Sequence, residues 1–318
     1  MNESKIRLIA PPPAPFHADG SLNLEPVEQQ AQLLIDTSAD GAFVAGSTGE
    51  GQSLSTDERM RLAERWMDVS AGADLEIMIQ LGHNSQPDAI ALAEHAQRIG
   101  ADSVSASSPC YFKPANVDTL IDFLEPVAAA AGDLPFYFYE IPPFTNVNLP
   151  MVEFLEKGKP RMPNLVGLKY SNPNLMQLQQ CVRLHEGEFE VLFGCDQQLL
   201  SAVLYGACGA VGSTYNHAAL LYREMLAAFK AGDLDAARAA QGRSVDMIAI
   251  MARHSFMSAL KAVMRTKGIE LGPVRAPLVN LTAEQERELL RDLEQADLLD
   301  FSSSAKATAE GVSLAATD

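Results

Sequence analysis

The sequence predicts an α/β fold, a (β/α)8 TIM barrel carrying a C-terminal helical appendage. Short apolar runs alternate with longer segments of helical period, and the alternation occurs eight times. The 318 residues, 47% of them hydrophobic, suffice to bury one large core. Recurring strand-then-helix order implies parallel pairing through right-handed crossovers, and eight such units close into a barrel. An open doubly wound sheet fits the same alternation and is the competing architecture.

The first unit reads as a strand at 6–10 and a helix at 24–38. The second is a strand at 41–45 and a helix at 56–71. Ser55 or Thr56 caps that helix, and Asp57 and Glu58 stand in its first turn, at the positive end of the helix dipole. Units three and four place strands at 75–81 and 102–106 and helices at 86–99 and 116–131. Strands at 135–139, 164–169, 189–193 and 208–212 follow, each with its helix, at 149–157, 174–185, 196–205 and 216–230. The barrel is expected to occupy 1–232. Further helices at 233–266 and 283–296, joined by the Pro/Gly-bearing loop 268–280, make 233–301 an appendage packed on the barrel rather than a second domain. The stretch 302–318, SSSAKATAEGVSLAATD, is small and polar and is expected to be disordered.

A formal net charge of −17 repels nucleic-acid phosphates and anionic membranes, so neither is expected as a partner. A small anionic substrate must then be held by local donors and dipoles. Cys110, Cys181, Cys195 and Cys208 are widely spaced and read as reduced, buried apolar groups. The N-terminus lacks the basic-then-apolar layout of a signal peptide. No apolar run approaches the ~20 residues of a membrane span. A cytoplasmic location is the expectation. The histidines, His83, His95, His217 and His254 among them, show no metal-ligand spacing, and no Walker loop, nucleophile elbow or dinucleotide fingerprint occurs.

Lys169 ends the apolar run Leu165-Val166-Gly167-Leu168. Leaving a buried strand, its ammonium enters a dry environment that disfavours the charged form. A neutral Lys is a nucleophile able to form a Schiff base with a ketone. Position alone also allows a strand-end Lys that bends its stem to keep its head in water. The other strands end in Gly46-Ser47-Thr48-Gly49-Glu50, in Tyr139, in Gly194-Cys195-Asp196-Gln197 and in Gly212-Ser213-Thr214, while Tyr170-Ser171 follow Lys169. Barrel enzymes build their sites on this face, so a nucleophile, a phenol, hydroxyls and glycine-freed amides converge on one mouth.

The glycines flanking Ser47-Thr48 permit a tight turn with amides aimed at a carboxylate, although an ordinary strand-to-helix turn uses glycine too. Gly206, Gly209 and Gly212 could suggest a phosphate loop. No Lys-Ser/Thr follows them, so tight barrel packing fits better. Tyr139 reads as a core aromatic or a mouth phenol. Tyr137, two residues deeper on the same side, suits core filling. Tyr111, in Pro109-Cys110-Tyr111-Phe112-Lys113-Pro114, reads as rim, core or subunit contact.

GSTGEG at 46–51, Phe138-Tyr139 before Ile141-Pro142, Gly167-Leu168-Lys169, and Gly194 with Asp196 together resemble the pyruvate-dependent class I aldolases. That superfamily includes the N-acetylneuraminate lyases and the dihydrodipicolinate synthases. The resemblance runs from about residue 6 to about 301, and 209–216 (GAVGSTYN) and the segment from Leu192 to Ser201 are similar to the lyases. It implies that Lys169 forms the Schiff base and that Tyr139 shuttles the proton to and from the hydroxyl of the carbon undergoing cleavage. It implies that Ser47 and Thr48 bind the keto-acid carboxylate, with Ser47 also in the proton relay. Ser171, Gly194, Asp196, Gln197 and Ser213 would line the sugar-chain pocket. Tyr111 matches a relay tyrosine that reaches the neighbouring subunit's site, and the usual assembly is a homotetramer.

What the resemblance implies is Schiff-base retro-aldol cleavage of N-acetylneuraminate, a keto sugar acid, to N-acetylmannosamine and pyruvate. No metal or organic cofactor is expected, because the Lys supplies the electron sink. Three positions depart from the pattern. Phe144 stands where the synthases carry an Arg for a second carboxylate, Gln197 where the lyases usually have Glu, and Asn146 where the lyases usually have Gly. A related aldolase or dehydratase on another 2-keto-3-deoxy sugar acid is the alternative. A non-catalytic barrel that binds a sugar acid would keep GSTGE but need no reactive Lys169.

Overall fold

A computed structural model describes residues 5–301; the stretch 302–318, expected to be disordered, lies outside them. Eight parallel strands close into a barrel in chain order. They are β1 (Arg7–Ala10), β2 (Gly41–Val44), β3 (Glu76–Gln80), β4 (Ser103–Ser107), β5 (Phe136–Glu140), β6 (Leu165–Tyr170), β7 (Glu190–Phe193) and β8 (Gly209–Val211). The open doubly wound sheet is thereby excluded, since β1 pairs with both β2 and β8.

Around the barrel run α1 (Val27–Asp36), α2 (Thr56–Ser70), α3 (Gln86–Arg98), α4 (Val117–Ala130), α5 (Pro142–Thr145), α6 (Met151–Gly158), α7 (Leu175–Arg183), α8 (Leu199–Leu204) and α9 (Tyr215–Lys230). The α2 start is a capping box: the Ser55 hydroxyl accepts from the Glu58 amide, and the Glu58 carboxylate accepts from the Ser55 amide. The short α5 was not foreseen. Pro142 and Pro143 open it, where a missing N–H costs nothing. Asn146 caps its end in the left-handed region, at φ 49° and ψ 35°. That explains Asn in a place where Gly is usual, since Asn is among the side chains that best tolerate this conformation.

Beyond the barrel lie α10 (Leu234–Ala252), α11 (Phe256–Thr266) and α12 (Ala283–Gln295). The single helix expected at 233–266 is therefore two. Ser255, at φ 55°, breaks the helical path between them. Among the described residues, no helix is long and apolar enough to cross a membrane.

Most of the core lies between strands and helices, and a smaller cluster fills the barrel: Ile9, Phe43, Met78, Tyr137, Tyr139, Ile141, Leu192 and Val211. Polar side chains close the floor. The Tyr137 hydroxyl donates to Glu190 at 2.7 Å, and Arg7 bonds Tyr137, Glu76 and Glu190. Tyr137 thus plugs the barrel's N-terminal end, as its depth in the strand suggested.

One irregularity decides the site. In the β5–β6 pairing Phe136 faces Leu165, but Tyr137 faces Gly167, so β6 contributes one extra residue, Val166. From there Phe138 faces Leu168 and Tyr139 faces Lys169. A bulge of one residue exchanges the two faces of everything after it. Leu165 and Leu168 both pack outward into the helix layer, while Lys169 joins the barrel interior beside Phe43 and Tyr139.

Candidate active site

Lys169 is 3% exposed. Its Nζ sits 3.6 Å from the centroid of the Phe43 ring and 3.8 Å from that of Tyr139. The two rings meet edge to face at 5.6 Å. This burial pushes the amine well below its ordinary pKa, opposed by the negative charge of Asp196. The Lys therefore does not bend its head into water; it is held dry and poised toward the neutral form. Phe43, which builds half of this wall, escaped the sequence reading. Its place on the inward face of Gly-Ala-Phe-Val was the available signal.

The Tyr139 hydroxyl lies 3.4 Å from Ser47 Oγ. Burial pushes the phenol up to about 12, with Ser47 and Ser171 acting in the opposite sense. It is thus a neutral phenol at neutral pH, with the Ser47 hydroxyl as its nearest polar neighbour. Thr48 Oγ1 lies 2.6 Å from Ser213 Oγ, which ties the turn after β2 to the one after β8.

The Gly46–Gly51 turn folds back on itself, with Gly51 N–H donating to the Gly46 carbonyl at 3.0 Å and Glu50 N–H to the Ser47 carbonyl at 3.1 Å. A side chain at Gly51 would run into the Ala45 carbonyl, so only glycine closes the loop. Glu50 adopts φ 52° and turns away from the mouth. Its carboxylate pairs with Lys261 of α11 at 2.9 Å, both side chains buried, and accepts from the Arg275 amide at 2.8 Å. Glu50 is therefore an anchor of the turn and not part of a carboxylate cradle. Lys261, on an otherwise apolar helix stretch, was the unread signal.

A small cleft opens above Tyr139 and Ser47, walled by Gln80, Ser107, Ser108, Phe144 and Thr145 among others. Lys169 does not line this cleft itself; its amine packs on the ring of Tyr139, which does. Thr48, Ser171 and Asp196 are buried around the mouth, and Ser213 is half-buried there. The Ser171 amide donates to the Glu140 carbonyl at 2.8 Å, and a Cβ on Gly194 would collide with the Ser171 hydroxyl, so Gly194 admits it. The Asp196 carboxylate accepts from the Thr214 hydroxyl and amide at 2.6 and 3.0 Å.

Of the expected site residues only Ser47 and Tyr139 line this cleft; Thr48, Lys169, Ser171, Gly194, Asp196 and Ser213 do not, and Gln197 and Tyr111 stand furthest from burial. Gln197 is exposed and does not line the cleft. Tyr111 is 76% exposed, packed edge to face on Phe112 at 4.9 Å, on a loop held by Asn84. Neither reaches Lys169 within this chain. Phe144, 68% exposed, stands on the rim and offers no cation there.

Among the described residues, no group of His, Cys, Asp and Glu is arranged to hold a metal. The site can activate an amine, hold a phenol beside it and present hydroxyls around both.

Comparison with known proteins gives a consistent picture. The model of the Dihydrodipicolinate synthetase family matches residues 4–296. N-acetylneuraminate lyase of Rattus norvegicus is 38% identical over 298 residues, 92% of this chain and 93% of that protein. The Gallus gallus lyase is 40% identical over 281 residues, covering 87% and 91%. The solved N-acetylneuraminate lyase of Proteus mirabilis superposes with a TM-score of 0.90 at 36% identity, over 93% of this chain and all (100%) of that one.

Proposed function

Since the chain belongs to the Dihydrodipicolinate synthetase family, we propose that it is a class I aldolase that cleaves N-acetylneuraminate to N-acetylmannosamine and pyruvate. The observation that carries this reading is the dry amine of Lys169 against the Tyr139 ring at the barrel's C-terminal mouth. The similarity to the rat, chicken and Proteus lyases supports the substrate.

The Lys169 amine adds to the C2 ketone of the open-chain sugar acid and water leaves, giving an iminium that draws electrons. The C4 hydroxyl loses its proton through Tyr139 and Ser47. The C3–C4 bond then breaks, its electron pair forming the enamine, and C4 becomes the aldehyde of N-acetylmannosamine. Protonation of the enamine at C3 and addition of water release pyruvate and restore the amine. Ser47 and Thr48 hold the carboxylate, and Ser171, Gly194, Asp196 and Ser213 face the sugar chain. Tyr111 and Gln197 complete the relay and the pocket only if the rim loops or a second subunit bring them in. A homotetramer and a cytoplasmic location belong to this reading, to be checked by light scattering and by cell fractionation.

The test pairs borohydride trapping of pyruvate with a pyruvate-release assay on N-acetylneuraminate, N-glycolylneuraminate and keto-deoxy-gluconate. Irreversible labelling of Lys169 and fastest release from N-acetylneuraminate are expected. No labelling refutes the covalent scheme and favours a sugar-acid-binding barrel. Labelling with preferred cleavage of keto-deoxy-gluconate selects the second reading, a related aldolase on another 2-keto-3-deoxy acid, the two readings dividing at Gln197. The absence of a cation at Phe144 argues against a synthase that holds a dicarboxylic product.

A further inference from the structure

Asp196 is linked to the appendage by a buried chain of hydroxyls. Its Oδ2 takes both the amide and the hydroxyl of Thr214, at 3.0 and 2.6 Å. Thr214 Oγ1 lies 2.6 Å from the Tyr222 hydroxyl, and that hydroxyl lies 2.7 Å from Ser244 Oγ. Thr214, Tyr222 and Ser244 are fully buried. The direction of the chain follows from proton counting. Thr214 has one hydroxyl proton and gives it to the carboxylate, so at the next contact it can only accept. Tyr222 must donate to it, and Ser244 must donate to Tyr222. The other acceptor near Ser244, the Asp196 carbonyl, is 3.5 Å away and already accepts from Gln241 at 3.1 Å.

Gln241 and Ser244 are three residues apart on α10 and share a face. Gln241 also accepts from the Leu200 amide at 2.9 Å. One helix outside the barrel therefore grips the backbone of the segment after β7 directly and reaches the carboxylate near its start through Tyr222 and Thr214. Neither Thr214 bond involves Asp196 Oδ1. A Cβ on Gly212 would strike that oxygen and the Tyr215 ring, so the glycine leaves room for it.

We infer that Tyr222 and Ser244 are positioning residues for the sugar end of the substrate, fixing Oδ2 of Asp196 on Thr214 so that Oδ1, over Gly212, is left to accept a substrate hydroxyl. Each donation in a one-way chain polarises the next, so losing the last link weakens the first. The inference rests on the reading of Asp196 as a sugar-chain contact, and the appendage then sets specificity and not only stability.

The test compares Ser244→Ala, Tyr222→Phe and Asp196→Asn with the parent enzyme. Tyr222→Phe removes one hydroxyl and keeps the ring that packs on Tyr215. KM and kcat are measured with the keto sugar acid that the enzyme cleaves, and borohydride trapping with pyruvate, which has no sugar end. In the Ser244 and Tyr222 variants KM should rise about fivefold to tenfold, the loss of about one hydrogen bond. Their kcat should change little and their trapping rate should hold. If trapping falls in step with cleavage, the chain is merely structural and the inference is overturned. If only Asp196→Asn raises KM, the inference fails and the sugar-contact reading stands. If all three leave KM unaltered, both fail.

Discussion

Tyr139 and Lys169 are direct partners across the β5–β6 pairing, and the Lys169 amine rests 3.8 Å from the centre of the Tyr139 ring. The nucleophile and the phenol proposed to move the proton are thus fixed by one rung of the sheet rather than by mobile loops. The same contact keeps the amine dry, because Tyr139 on one side and Phe43 on the other leave it 3% exposed. Sheet register accordingly sets both the geometry and the acidity of the amine.

Lys169→Met should abolish pyruvate release and also stabilise the fold. Burial lowers the folded-state pKa below that of the unfolded chain. The unfolded chain therefore binds the extra proton, and this lysine costs stability at neutral pH, a cost that fades only as pH rises toward the ordinary Lys range. Thermal melts at pH 7 should show a midpoint at least about 2 °C higher than the parent, with the difference shrinking in alkaline buffer. An unchanged midpoint contradicts a dry amine.

Tyr139→Phe keeps the ring against Lys169 and removes only the hydroxyl. Cleavage should slow by roughly 10²–10⁴-fold, the usual worth of a positioned proton carrier. Trapping of pyruvate should fall far less. A defect confined to pyruvate binding contradicts the proton role.

Glu140 is 2% exposed behind Tyr139, accepts from Asn172 at 3.3 Å, and burial pushes its carboxyl up to about 7. The folded state therefore holds this proton more tightly than the unfolded chain. Its contribution is fully present below the ordinary Glu pKa of 4.5 and is lost as pH rises through about 7. Glu140→Gln should match the parent in denaturant melts near pH 4 and exceed it above pH 7 by about 3 kcal/mol. A pH-independent difference removes the assignment.

The buried Glu50–Lys261 pair couples the Gly46–Gly51 turn to α11. Glu50→Gln should cost about 3–5 kcal/mol, because it leaves the Lys261 ammonium buried without its countercharge. Glu50→Gln with Lys261→Met should recover much of that loss, measured by a double-mutant cycle of urea midpoints. Additive losses mean that the two groups do not act as a pair.

Much was legible in the linear chain. Eight alternating units predicted the barrel, and strand ends collected Ser47, Thr48, Tyr139, Lys169, Asp196 and Ser213 at one mouth. Their convergence follows from strand direction alone, since parallel strands put all their C-terminal ends on one face. The Ser255 break was hidden because an unfavourable φ in a single residue leaves no mark in hydrophobic period. Glu50, Lys261, Tyr222 and Ser244 were hidden because their partners lie far away in sequence.

The face of Lys169 was decided only in three dimensions. Counted along an ideal strand, Lys169 shares a side with Leu165, four residues earlier, and Leu165 packs against the helices. The extra residue Val166 reverses that parity and turns the amine into the barrel. Alternation within one strand carries no record of how its neighbour pairs with it. Sequence therefore chose the residue and the end of the barrel, and the pairing with β5 chose the side.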